Sequence, residues 1–196
     1  SAQKLARYIV NRAHLNDTFS AQDDISCSVI YFRKPRNILV CSGPPYKKDK
    51  DSTMAQTIKN FNGTKIICGG TTAQIISREL NCEIDADLTS NDLELPPVSY
   101  MQGVDLVTEG ILTIGKVSDW LESREPEEVD SQNAAGQIIR HLLAHDKINF
   151  LIGTRINEAH QDPSLPVELE IRRNVIKKIA QILEEKYLKE VHIQFI

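Results

Sequence analysis

Four times in the chain a short apolar run ends at glycine with Ser, Thr or a charged residue beside it. The runs are residues 37–43 (NILVCSG), 65–72 (KIICGGTT), 104–110 (VDLVTEG) and 148–155 (INFLIGTR). Each is followed, at once or after a short connection, by a segment of helical character. Short continuous apolar strands alternating with helices predict a mainly parallel sheet covered on both faces. The expected fold is therefore α/β, a Rossmann-like three-layer domain. In a parallel sheet the strand carboxyl ends share one edge, and ligands bind in the crevice there. The pattern predicts one site built from four separated segments.

The rest of the chain fits around those runs. Residues 3–15 read as a helix with Leu5, Ile9, Val10 and Ala13 on one side. A polar loop over 17–24 leads to residues 25–32, where Ile25, Cys27, Val29 and Tyr31 alternate with Ser26, Ser28, Ile30 and Phe32 and predict a strand. Arg33-Lys34-Pro35-Arg36 then breaks the pattern, so residues 1–35 and 36–196 read as separate domains. Beyond the break, strands are expected at 38–41, 65–68, 104–107, 148–152 and 191–196, with a weaker one at 82–88. Helices are expected at 52–61, 71–80, 111–122, 133–145 and 167–188. Residues 89–97 and 158–166 read as loop or irregular chain, and 124–130 as an acidic linker.

Composition removes several function classes. A net charge of −4 over 196 residues advertises no basic surface, which argues against a nucleic-acid partner. No apolar run is long enough to span a bilayer and no secretory leader is recognisable, so a cytoplasmic protein without a membrane partner is expected. Cys27, Cys41, Cys68 and Cys82 form no CxxC pair and read as reduced, packed thiols. Ser1 stands where an initiating Met is usual, which reads as a piece of a longer chain.

Cys68-Gly69-Gly70-Thr71-Thr72 is the sharpest local signal. Two glycines where a strand hands over to a helix let the backbone approach a ligand. Thr71 or Thr72 can cap the helix, and the free N–H groups there favour an anion. The alternative is a tight turn with an N-cap and no ligand. Thr108-Glu109-Gly110 places a carboxylate at a strand end, suited to a metal, a ribose or an amine, or simply to the dipole of a helix start. Gly153-Thr154-Arg155 adds a hydroxyl and a guanidinium that can clamp a carboxylate or phosphate, unless Arg155 is merely solvated. Ser42-Gly43-Pro44-Pro45 is a rigid turn, with Lys47 and Lys48 at its tip.

Three further features have chemical potential. His141 and His145 lie one helical turn apart, a metal-binding spacing; without a third ligand they read as exposed surface histidines. The polar stretch 158–162 could reach a site. Asp23-Asp24 sets two carboxylates side by side, which repel unless a positive partner such as a divalent cation is near. An acidic loop end or cap is the simpler reading of that pair.

A helix, a polar loop and then DDISCSVIYF (residues 23–32) resembles the end of a PPM-type metal-dependent serine/threonine phosphatase of the stage II sporulation protein E branch. The resemblance implies that Asp23, with Asp24 as its neighbour, binds Mn²⁺ or Mg²⁺ in a two-metal site that activates water against a phosphoester. It covers only residues 3–33. The Asp-Gly motif that bridges the metals in that family does not occur in this sequence. The fragment itself is therefore expected to lack phosphatase activity. Residues 37–196 resemble an extra carboxyl-terminal domain of some bacterial members of the branch, through SGPP (42–45), CGGTT (68–72) and GVDLVTEGILT (103–113).

The function expected from all this is a regulatory module that binds a small anionic metabolite or nucleotide. Its ligand-binding residues would be Ser42, Gly43, Gly69, Gly70, Thr71, Thr72, Thr108, Glu109, Gly110, Gly153, Thr154 and Arg155. The parent phosphatase would act on a phosphoprotein. Two alternatives stay open: an independent enzyme using Glu109 as base or metal ligand, and a dimerisation or partner-binding module, with a homodimer built on helix 167–188.

Overall fold

The computed structural model describes residues 2–20, 23–86, 97–124, 129, 132–155 and 166–196, with 166–170 by their backbone alone. The expected loop 89–97, the acidic linker and the irregular stretch with its polar residues 158–162 lie largely or wholly outside the described residues. The chain divides into two units, Ser1–Lys34 and Pro35–Ile196.

In the first unit, helix α1 (Ala2–Asn16) forms as the apolar spacing predicts, yet none of its residues is buried. Residues 25–32 do not form the expected strand. The alternation survives: Ile25, Cys27 and Val29 are half-buried while Ser26, Ser28 and Ile30 are exposed. What is missing is a neighbour. A strand is defined by pairing, and α1 offers no free backbone edge. Phe32, at 90% exposure, ends the run in solvent.

The second unit is an α/β domain. Its elements in chain order are β1 (Asn37–Ser42), α2 (Asp51–Asn60), β2 (Thr64–Cys68), α3 (Gly70–Leu80), β3 (Ile84–Ala86), β4 (Ser99–Met101), β5 (Val104–Thr108), α4 (Ile111–Ser123), α5 (Ala134–Ala144), β6 (Lys147–Ile152), α6 (Pro166–Glu185) and β7 (Glu190–Phe195). They build a seven-stranded sheet in the order β3-β4-β5-β2-β1-β6-β7. The run β5-β2-β1-β6-β7 is parallel throughout, and β4 is antiparallel to both of its neighbours. Strand β4 was not expected. Its signal was short: three residues joined to β5 through Gln102-Gly103, a two-residue hairpin connection ending in glycine.

Two cores follow from the pleat, because successive side chains in a strand point to opposite faces. Leu39, Cys41, Ile67, Val107 and Leu151 pack with Met54 and Ile58 of α2 and Ala73 and Ile76 of α3. Ile38, Val40, Ile66, Leu106, Ile148 and Phe150 pack with α4, α5 and α6 through Val117, Ile138, Ile139, Ile176 and Leu183. Each fully buried Ile or Leu contributes about 1.5–3 kcal/mol relative to exposure. The result is a three-layer arrangement with both faces covered. Among the described residues no helix is long and apolar enough to cross a membrane.

Candidate functional site

Strand β1 leads through α2 to β2 on one side of it. Strand β6, its neighbour on the other side, leads through α6 to β7 further out. The chain thus leaves the β1–β6 pair in opposite directions, the condition that opens a crevice beyond the carboxyl ends of a parallel sheet. The four glycine endings belong to β5, β2, β1 and β6, which are adjacent and parallel. They therefore share one edge, two on each side of its middle.

At the β1–β6 half the edge is sealed by backbone. Ser42, Gly43, Pro44 and Pro45 are buried. Gly153 N–H donates to the Ser42 carbonyl at 2.9 Å, and Arg155 N–H to that of Pro44 at 3.1 Å. A Cβ on Gly153 would collide with the carbonyl oxygens of Pro44 and Gly43, so no other residue fits without moving the turn. The Ile196 carbonyl oxygen accepts from Tyr46 N–H, Thr154 N–H and the Thr154 hydroxyl at 3.0–3.2 Å. Thr154 is thereby committed to the closure. Arg172 of α6 reaches over Gly43, its Nη1 2.7 Å from where a Cβ would stand. Arg155 Nη1 is buried without a hydrogen-bond partner. A buried charged donor left without a partner is costly, more so than the 1–3 kcal/mol of a neutral group.

The β2–β5 half is open. Gly69 N–H donates to the Thr108 carbonyl at 2.8 Å, tying the end of β2 to the end of β5. Gly69 and Gly110 are the N-caps of α3 and α4, and neither cap supplies a side-chain acceptor. The two glycines touch: a Cβ on Gly110 would stand 3.5 Å from the Gly69 Cα. The expected capping by Thr71 or Thr72 does not occur; Thr71 is exposed, Thr72 is buried, and both lie inside α3 rather than ahead of it. The Glu109 carboxylate is exposed and its Oε1 lies 3.3 Å from the Cβ position of Gly70, at the first residue of α3. A carboxylate thus stands where the helix dipole favours negative charge. One turn into α4, the Thr113 hydroxyl is fully buried and has no partner.

Nucleophilic chemistry by the nearby thiols is disfavoured. Burial pushes the Cys68 thiol up to about 12 against a hydrogen bond from the Thr108 side chain, and pushes Cys41 up further still. Neither is a thiolate at neutral pH, and the thiolate is the reactive form. A shallow depression of about 560 Å³ runs along α2 beside Phe61, lined by Ser52, Thr53, Gln56, Thr57 and Asn60. It holds hydroxyls and amides but no charged group.

The histidine pair is not on the surface as expected. His145 is only 8% exposed. Its Nδ1 lies 2.6 Å from the His141 carbonyl, and its Nε2 2.8 Å from the Thr64 hydroxyl. In the neutral ring Nδ1–H donates and Nε2 accepts, so both nitrogens are engaged and the ring pins the end of α5 to the start of β2. Half-burial, then His145 and Arg140, hold the His141 imidazole below its ordinary pKa.

Asp23 and Asp24 lie in the first unit and are exposed. They border a polar hollow of about 370 Å³ that Asp17 also lines. The Asp23 Oδ1 accepts the Asp24 N–H at 2.8 Å. A hard divalent cation takes six or more oxygens. Among the described residues no group of three or more His, Cys, Asp or Glu is placed to hold a metal. The pair as it stands here does not fit Mn²⁺ or Mg²⁺.

Comparison with family models, with curated proteins and with solved structures returns no match. The site is therefore read from its geometry. That geometry also contains groups the sequence pattern did not single out. Arg172 and Ile196 meet the β1–β6 turn from remote elements, and nothing local to either residue signals it.

Proposed function

We propose that residues 36–196 form a regulatory domain that binds a small anionic metabolite or nucleotide along the carboxyl edge of its sheet. One observation carries this reading: four glycine-ended parallel strands lie adjacent on one edge, and in its β2–β5 half two helices start side by side without side-chain caps. The division of the chain into two units supports a module distinct from residues 1–34. The resemblance of residues 23–32 to a PPM-type phosphatase supplies the partner. In this reading ligand binding biases a metal-dependent, cytoplasmic serine/threonine phosphatase. Its Mn²⁺ or Mg²⁺ ligands would include Asp23, completed by groups beyond this sequence.

The experiment is a thermal-shift screen of nucleotides and phosphorylated metabolites on the 196-residue chain and on Gly70→Val. A valine there would displace the Glu109 carboxylate and crowd the open half while leaving the sealed half alone. The expected result is a rise in melting temperature with at least one compound, lost in Gly70→Val. A flat screen would sink the proposal.

A further inference from the structure

Helices α3 and α4 start side by side on Gly69 and Gly110, and neither N-cap brings a side-chain oxygen to the first N–H groups of its helix. Those groups have no partner within the helix and call for an acceptor. Thr72, at the third position of α3, is only 1% exposed. Side chains in a helix lean toward its start, and the Thr72 hydroxyl oxygen stands 3.4 Å from the place that a Cβ on Gly69 would take. Among the described residues that hydroxyl has no hydrogen-bond partner. Where Gly69 lacks a side chain there is therefore room for one foreign atom, with a buried hydroxyl aimed at it and the Gly110 Cα 3.9 Å away on another side.

Glu109 sets a second condition. Its exposed carboxylate oxygens lie 3.3 and 3.8 Å from the Cβ position of Gly70, the residue next to Gly69. An ionised carboxylate only accepts hydrogen bonds. A bare oxyanion on the helix starts would meet it as a like charge at close range. A ligand that suits both conditions offers acceptor oxygens to the N–H groups and an O–H donor to Glu109. Because Gly69 and Gly70 are consecutive, acceptor and donor must sit on one group or on adjacent atoms. Inorganic phosphate meets this, since it keeps at least one O–H at neutral pH. A phosphomonoester shares the property near its second pKa, about 6. Sulfate has no O–H to give.

We infer that the open half takes a proton-bearing phosphate group, its bare oxygens on the starts of α3 and α4 and on the Thr72 hydroxyl, its O–H donated to Glu109. This rests on the ligand-binding reading above and names the chemical group that binds. The ligand's anchoring group stays within the β2–β5 half and needs nothing from the sealed turn. Glu109 is then a selector: it admits phosphate and turns away anions of the same shape that carry no proton.

Isothermal titration of the 196-residue chain with inorganic phosphate, sulfate and ADP tests the inference. Sulfate is expected to bind at least about tenfold more weakly than phosphate, the scale of one charged hydrogen bond. Glu109→Gln should erase that preference, because a glutamine amide can donate to sulfate. Thr72→Val removes the hydroxyl and keeps the bulk of the side chain. It should weaken phosphate about threefold or more while leaving the melting temperature of the free chain unchanged, since the hydroxyl has no partner to lose. ADP separates two sources of the group. Tighter binding than inorganic phosphate points to the terminal phosphate of a nucleotide and weaker binding to free phosphate, and either supports the proposal. Equal binding of sulfate and phosphate to the unmutated chain overturns it. So does a preference that survives Glu109→Gln, an unchanged phosphate affinity in Thr72→Val, or a chain that binds a nucleotide and no phosphate. In each of these cases ligand binding itself survives, whereas silence from every compound in the wider screen removes both proposals.

Discussion

At the end of β6, Gly153 has no side chain because two carbonyl oxygens occupy the space one would need. At the end of β2, Gly70 has none beside a single flexible carboxylate. Both glycines terminate a strand on the same edge, and in the sequence they look alike. In the sealed half the backbone turns inward and is consumed by hydrogen bonds among Ser42, Pro44, Gly153, Thr154 and Ile196. In the open half two helices start side by side without side-chain caps. Glycine in the first case permits packing, and in the second it leaves room.

The comparison can be broken by adding one methyl group at a time. The largest effect is expected at Gly153→Ala, where the obstruction is backbone and cannot swing aside. A loss of about 3 kcal/mol in chemical denaturation is expected, at the upper end for overpacking. A change under about 1 kcal/mol would mean that the turn is not sealed. Next comes Gly69→Ala. Gly69 sits at φ +129°, a conformation that side chains rarely adopt, while its nearest contact, Thr72 Oγ1 at 3.4 Å, is tolerable. Strain alone predicts a loss of about 1–3 kcal/mol. Gly70→Ala is the smallest. Glu109 can rotate away, so the stability change should stay within about 0.5 kcal/mol, the range of ordinary surface substitutions. A Gly70→Ala loss equal to that of Gly153→Ala would erase the distinction between the halves.

Much of the domain was legible because its strands are buried on both sides. Continuous apolar runs such as 38–41 and 66–68 have few other places to go, and the helices between them carry a clear apolar face. Strand β4 was missed because three residues carry too little pattern to be seen. The opposite error, at residues 25–32, has the opposite cause: an alternating pattern is a property of side chains, whereas a strand needs a partner's backbone. His145 was misplaced because its burial depends on Thr64, 81 residues away. The site was legible as a set of strand endings and not as two halves. Which half closes depends on Arg172 and Ile196, which reach the turn through tertiary packing.

Hydrogen exchange, read residue by residue with and without the nucleotide that raises the melting temperature most, tests the central claim most directly. In the free chain the amides of Gly153, Thr154 and Arg155 should exchange slowly, since each donates to a carbonyl within the sealed turn. The amides of residues 70–72 and 111–113, at the uncapped starts of α3 and α4, should exchange faster. With that nucleotide bound, the account predicts slowing at 70–72 and 111–113, while 69 and 153–154 change little because they are already protected. Unchanged exchange at 70–72 and 111–113, or slowing confined to the polar face of α2, would contradict it.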